Sequence, residues 1–166
     1  MRTLNRGLLA TLLALALAVP GTTAEVGSPA PGFALEGPAG PVSLAAYRGK
    51  YVYLDFWASW CAPCKRSFPW MSELQKRYGE AGLVVVAVNV DATRADAERF
   101  LASTPAGFAV AWDPAGSVAK AYRIKGMPSS VLIDPKGQVV QVHTGYNDDS
   151  ARKIEQQIKL AMKGER

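Results

Sequence analysis

Apolar residues fall in short, nearly unbroken runs along this chain, and the stretches between the runs carry apolar positions at helical spacing. Residues 51–60 (YVYLDFWASW), a strand and turn, and 83–90 (LVVVAVNV) are near-continuous apolar runs, the pattern of strands covered on both faces. Residues 65–78 read as a helix, and so do 94–102 behind Thr93 as a cap. Further on, 108–112 suits a strand and 117–122 a short helix. Residues 130–133 and 139–143 are strands joined by Asp134-Pro135-Lys136-Gly137, a tight turn that predicts an antiparallel hairpin. Residues 150–162 form a terminal amphipathic helix. Residues 27–41, rich in Pro and Gly around Phe33-Ala34-Leu35, read as an irregular N-terminal arm or hairpin. A βαβ half followed by a ββα half predicts an α/β fold: a central mixed β-sheet with helices on both faces and an N-terminal hairpin extension.

The first residues do not join this pattern. Arg2 and Arg6 precede an uncharged stretch with an apolar centre at 8–19, then Pro20, Gly21 and the small residues Thr22-Thr23-Ala24. This is the layout of a cleavable secretory signal peptide over residues 1–24. A retained membrane anchor is less favoured, because Pro20 and the polar residues after it shorten the apolar span below the ~20 residues that cross a bilayer. Residues 25–166 are then one domain, in the periplasm, and a monomer is expected. Without Arg2 and Arg6 the basic residues fall from 19 to 17 against 14 acidic, and the net charge from +5 to +3. So mild a charge, scattered along the chain, does not argue for nucleic acid.

Cys61 and Cys64, in Trp60-Cys61-Ala62-Pro63-Cys64, are the only cysteines. Stabilisation by a bridge grows only with the logarithm of the loop it closes, so this pair would make a poor staple. Redox exchange is the better use. Cys61 falls where strand gives way to helix, facing unpaired N–H donors and the positive end of the helix dipole. Cysteine pKa values at such positions drop from about 8.5 to roughly 3.5–7.5, which makes Cys61 the nucleophile. Cys64, three residues on, shares its helix face and is the resolving thiol. Pro63 suits the first helical turn and stiffens the loop between the sulfurs. A closed zinc site would need more ligands than two cysteines and the single His143, and haem attachment would need histidine where Lys65 stands. No metal and no bound cofactor are expected; the Cys61–Cys64 disulfide is itself the redox group. Asp55, set among apolar neighbours, should be desolvated and its pKa raised, making it a candidate to take a proton from Cys64 and return it.

Asp55-Phe56-Trp57-Ala58-Ser59-Trp60-Cys61-Ala62-Pro63-Cys64-Lys65, then Pro69, Gly126-Met127-Pro128 and the Asp134 turn resemble the thioredoxin superfamily. Ala30-Pro31-Gly32-Phe33-Ala34-Leu35, Val42-Ser43-Leu44 and Arg48-Gly49-Lys50 are similar, more narrowly, to its exported TlpA/ResA-like thiol-disulfide oxidoreductases. The resemblance implies that Pro128 is the family's cis-proline, with Met127 supplying a backbone edge beside the disulfide for an incoming peptide, and that Pro69 kinks the active-site helix. It implies that Asp55 moves the Cys64 proton, and that Trp57, Trp60, Pro63, Met127 and Pro128 form the client platform. It implies disulfide-containing client proteins, such as apocytochrome c or a copper-site assembly protein, and a membrane thiol reductant as electron donor. The chain departs from the family at Ala87, where thioredoxins carry a lysine near the buried aspartate, and in the Ala62-Pro63 dipeptide, which helps set the reduction potential.

Two other function classes remain open on the residues. Two thiols and His143 could hold copper, which suggests a thioredoxin-fold copper-binding assembly factor, although related copper chaperones space their cysteines one residue wider. A thiol peroxidase would want threonine or serine where Ala58 stands. The favoured reading is a periplasmic protein-disulfide reductase.

Overall fold

The structure is a computed structural model describing residues 24–164. The leader expected over 1–24 therefore lies, Ala24 apart, outside the described residues. The chain runs β1 (Ala34–Leu35), β2 (Val42–Ser43), a 3-10 turn (Leu44–Tyr47), β3 (Tyr51–Trp57), α1 (Ala62–Tyr78), β4 (Leu83–Asn89), α2 (Arg94–Ser103), β5 (Ala109–Trp112), α3 (Ser117–Ala121), β6 (Ser129–Ile133), β7 (Val139–Thr144) and α4 (Asp148–Met162). β1 and β2 pair as a small antiparallel hairpin. The other strands form one sheet in the order β5-β4-β3-β6-β7. β3, β4 and β5 are mutually parallel, while β6 and β7 run antiparallel to their neighbours. This is the mixed sheet and N-terminal hairpin expected from the order of elements.

β3 is apolar at nearly every position because both of its faces are covered. Val52, Leu54 and Phe56 point to one side, where they meet Val86, Val88, Val131, Ile133 and the α3 residues Val118 and Ala119. Tyr53 and Trp57 point to the other, against Val85, Leu132, Phe68 and Met71 of α1, Phe100 of α2 and Ile154 and Ile158 of α4. The period-2 alternation of a strand divides one run of sequence between two cores in this way.

Helix ends follow local chemistry more closely than the apolar pattern does. α1 starts at Ala62, ahead of residue 65, because Cys61 serves as its cap. α4 starts at Asp148, ahead of residue 150, because Asn147 and Ser150 form a reciprocal capping box and Asp148 and Asp149 complement the dipole. Thr93 precedes α2 as expected but makes no side-chain bond to the backbone; its hydroxyl goes to the Asp96 carboxylate instead. The β6–β7 turn is held by Asp134 Oδ1, which accepts from the N–H groups of Lys136 and Gln138, both at 2.9 Å. Gly137 there has φ +82°, a conformation a side chain would strain.

Phe68 is fully buried and its ring lies 4.8, 4.9 and 5.2 Å from the centroids of Trp57, Phe100 and Phe108. It couples the active-site helix to β3 and α2. Phe68→Ala should lower the unfolding free energy by about 3–5 kcal/mol, as read from guanidinium denaturation midpoints at unchanged slope.

Candidate active site

β3 ends at Trp57, and the chain turns through Ala58 to Cys61, whose N–H donates to the Ala58 carbonyl at 3.1 Å. Asp91, just beyond β4, braces this turn. Its carboxylate accepts from Ser59 N (2.9 Å), Ser59 Oγ (3.0 Å) and Asn89 Nδ2 (2.8 Å). The turn delivers Cys61 to the N-cap of α1 with extended dihedrals, φ −88° and ψ 99°. There its sulfur accepts from the Cys64 N–H at 3.2 Å. A thiolate formed at Cys61 on reduction would face the same unpaired helix donors and the positive end of the dipole.

Cys61 and Cys64 are joined in a disulfide, with Cα atoms 5.3 Å apart. Cys61 sits at the rim of the apolar cluster with 4 % of its surface exposed, and Cys64 beneath it with none. Of the two cysteines only Cys61 retains any exposure. Pro63 lies between them in the first turn of α1, and Pro69 lies inside the same helix.

The β3–β6 register opposes Phe56 to Ser129, so Pro128, immediately before β6, falls beside the turn that leads to Cys61. The Met127–Pro128 bond is cis. The Pro128 carbonyl accepts from Gly145 N at 2.8 Å, tying in the loop between β7 and α4. Trp60 is 72 % exposed, Pro63 and Met127 are half-buried, and Pro128 is buried. Trp57, expected in the client platform, is fully buried between Phe68 and Phe100. It faces the core under α1 because strand alternation turns it there, so it supports the site from below and presents nothing to a client.

Asp55 is 2 % exposed, on the same face of β3 as Trp57. Its cross-strand neighbours are Ala87 in β4 and Ser130 in β6. Ala87 thus occupies the position facing the carboxylate, as read from the sequence, and offers no charge. Oδ2 of Asp55 has no hydrogen-bond partner, and burial holds the carboxyl pKa well above the usual carboxylate range. His143, in β7, stands directly opposite Ser130 of β6, with its ring on Gln141 at 3.2 Å and its pKa pushed down by burial. Among the described residues no three His, Cys, Asp or Glu side chains converge as a metal site.

One feature of the site escaped the sequence reading. The Asp91 brace spans 32 residues to Ser59, and only the position of an acid directly after an apolar strand hinted at it.

A family model described as Redoxin matches residues 25–158. The chain belongs to the Redoxin family. Within it the chain is 39 % identical over 125 residues to the thiol-disulfide oxidoreductase ResA of Bacillus subtilis (strain 168), covering 75 % of this chain and 70 % of that protein. It is 38 % identical over 137 residues to ResA of Geobacillus kaustophilus (strain HTA426), covering 81 % and 79 %. Among solved structures, one described as the thiol:disulfide interchange protein DsbE from Chlorobium tepidum superposes with a TM-score of 0.82 at 50 % identity, covering 83 % of this chain and 98 % of that one. The exposed lipoprotein thioredoxin of Streptococcus pneumoniae strain TIGR4 gives 0.68 at 32 % identity, covering 77 % and 98 %. This Redoxin-family protein is a thiol-disulfide oxidoreductase of the thioredoxin superfamily, ResA/TlpA-like, and acts on disulfide-containing proteins.

In the reduced protein, iodoacetamide near neutral pH should label Cys61 well before Cys64, as followed by peptide mass spectrometry, because only Cys61 combines an approach with helix N–H donors. A second expectation concerns stability. Asp55 holds its proton in the folded state above the pH at which it ionises in the unfolded chain, so the native state binds more protons and stability falls with rising pH. The fall begins near the unfolded carboxylate value of about 4 and continues to the raised native value. Asp55→Asn should remove that slope and leave the oxidised protein the more stable above the window, as read from melting temperature against pH.

Proposed function

We propose that this oxidoreductase works in the reducing direction, on client proteins outside the cytoplasm. The observation that supports this most is the layered pair of thiols: Cys61 as helix cap at the rim, Cys64 directly beneath, and an unpartnered buried carboxyl on the neighbouring strand. In the cycle the Cys61 thiolate attacks one sulfur of a client disulfide. A Cys61–client bond forms, the client S–S bond breaks, and the departing thiolate takes a proton from solvent. Cys64 then gives its proton to Asp55 and attacks the Cys61 sulfur. The Cys61–Cys64 bond forms as the Cys61–client bond breaks, and the second client thiolate is protonated through Asp55. The client has gained two electrons and two protons, and the enzyme is left as the disulfide.

Trp60, Pro63 and Met127 give the client an apolar surface around Cys61, and the cis Met127–Pro128 segment gives it a backbone edge. No bound cofactor takes part. A membrane thiol reductant returns the enzyme to the dithiol, and apocytochrome c or a copper-site assembly protein is the client class. The apolar N-terminal stretch and the likeness to an exposed lipoprotein thioredoxin support export to the periplasm, with residues 25–166 acting as a monomer after removal of a leader.

Cys64→Ser retains the attacking sulfur and loses the resolving one. Expressed with its leader, it should accumulate mixed disulfides with other proteins that disappear on treatment with dithiothreitol, seen on non-reducing gels. Cys61→Ser should trap far fewer, and equal trapping by both would refute the assigned roles.

A further inference from the structure

The turn between β3 and α1 is held from the β4 side by a buried acid to which the cycle above gives no part. The β3–β4 ladder makes its last backbone bond where Val90 N donates to the Trp57 carbonyl at 3.0 Å. In a continuing parallel ladder the next β3 amide on that edge, Ser59 N–H, would go to a β4 carbonyl. It goes instead to Asp91 Oδ2 at 2.9 Å, and the Ser59 hydroxyl donates to Asp91 Oδ1 at 3.0 Å. Asp91 is held in turn: Asn89 Nδ2 donates to its Oδ2 at 2.8 Å, and Asp91 N donates to Asn89 Oδ1 at 3.1 Å. Asp91 is 5 % exposed and Asn89 2 %. A carboxylate is costly to bury among neutral donors. Bonds to an ionised acceptor are also roughly twice as strong as neutral ones, so the tie is stiff and stands where the backbone ladder has stopped.

The Ser59 N–H and the Ala58 carbonyl belong to one planar peptide unit, so holding the first aims the second. That carbonyl receives the Cys61 N–H at 3.1 Å. Cys61 so placed caps α1, and its sulfur accepts from Cys64 N at 3.2 Å. We propose that Asp91 is a positioning residue for Cys61: by gripping the N–H side of the Ala58–Ser59 peptide it fixes the carbonyl side, and with it the capping position at which the Cys61 sulfur meets the α1 donors. This deepens the proposed function and rests on Cys61 being the attacking sulfur. The thiolate is favoured only while the sulfur stays aligned with those N–H groups, and Asp91 keeps it aligned when reduction has removed the disulfide.

The titratable and charged groups of the surrounding elements are few. α1 brings Cys64 and the exposed Lys65 and Arg66, and β3 brings the buried Tyr53 and Asp55. α2 brings Arg94, which lies over the Trp112 ring and pairs with Glu98. Lys125 precedes the Met127–Pro128 segment. β7 brings His143, bonded to Gln141, and the β7–α4 loop brings Tyr146, packed on Trp70. Among the described residues Asp91 is the one whose side chain bonds the turn.

The test is the rate of iodoacetamide alkylation at Cys61 in the reduced protein, followed by peptide mass spectrometry across the thiol range of about pH 5 to 9. The Cys61 thiolate attacks the reagent's methylene carbon; an S–C bond forms, the C–I bond breaks and iodide leaves, so the rate follows the thiolate fraction. Asp91→Ala should move the rising limb up by about one pH unit, making alkylation about tenfold slower below it. Asp91→Asn, which keeps one acceptor oxygen for Ser59 but no charge, should move it up by less. Loss of the charge alone would act in the opposite sense, because a nearby anion disfavours a thiolate. The cap bond acts at contact and the carboxylate across two residues of chain, so the upward shift prevails. A limb that moves down, or stays in place, in Asp91→Ala overturns the inference. Gln75→Ala, which frees Val85 N and the Leu83 carbonyl at the other end of α1, controls for lost stability, and an equal shift there also overturns it. Should Asp91→Ala lose its cooperative unfolding transition, Ser59→Ala decides: it retains the charge and loses the hydroxyl bond, and an unmoved limb overturns the inference. Faster labelling of Cys64 than of Cys61 in the wild type removes the Cys61 role on which the inference rests. Faster labelling of Cys61 beside an unmoved Asp91→Ala limb removes the Asp91 role alone.

Discussion

The burial of β3 on every side is the constraint from which the rest follows. It has strands on both edges and apolar cover on both faces, so its direction and register are set by β4 and β6 together. A one-residue slip would turn Tyr53, Asp55 and Trp57 to the α3 side and bring Val52, Leu54 and Phe56 under α1, at the expense of both cores. Because the strand cannot shift, the turn after Trp57 leaves it at one place, and Asp91 fixes that turn through Ser59. The capping position of Cys61 and the depth of Cys64 are consequences of how β3 is held.

Two opposite electrostatic environments lie within a few residues of each other. At the helix start, unpaired N–H groups and the dipole favour negative charge, which suits the role proposed for Cys61 as the attacking thiolate. Beneath it, burial and the lack of a partner disfavour charge on Asp55. Burial that raises the Asp55 pKa narrows its distance from that of a thiol, which suits the proton exchange proposed with Cys64 better than an exposed carboxylate would. Separating an anionic site from a neutral one requires a dry interior, and Phe68, Trp57 and Phe100 provide it. The same packing that stabilises the domain therefore sets the chemistry of the site.

Much of this was legible in local pattern. The spacing of Cys61 and Cys64, the apolar continuity around Asp55, the Gly126-Met127-Pro128 triplet and the Asp134 turn each depend on neighbouring residues, whose sterics and backbone preferences act over a few positions. Trp57 was misplaced because an aromatic beside the cysteines suits a contact surface and a core equally well; alternation tells which face a side chain takes, and packing tells which face is covered. Thr93 takes the capping position expected of it, but its hydroxyl could bond the helix backbone or Asp96, and the geometry of α2 chose the acid.

The sequence by itself determined the order of strands and helices, the redox pair with its division into rim and interior sulfur, and the presence of a desolvated acid, because those rest on periodicity, spacing and short-range sterics. Only the tertiary structure decided what stands against what: Ala87 and Ser130 flanking Asp55, Asp91 bracing Ser59, and His143 opposite Ser130. Those partners come from segments that meet through strand register and side-chain packing, and free energies shared among distant residues leave no mark on any one stretch of chain.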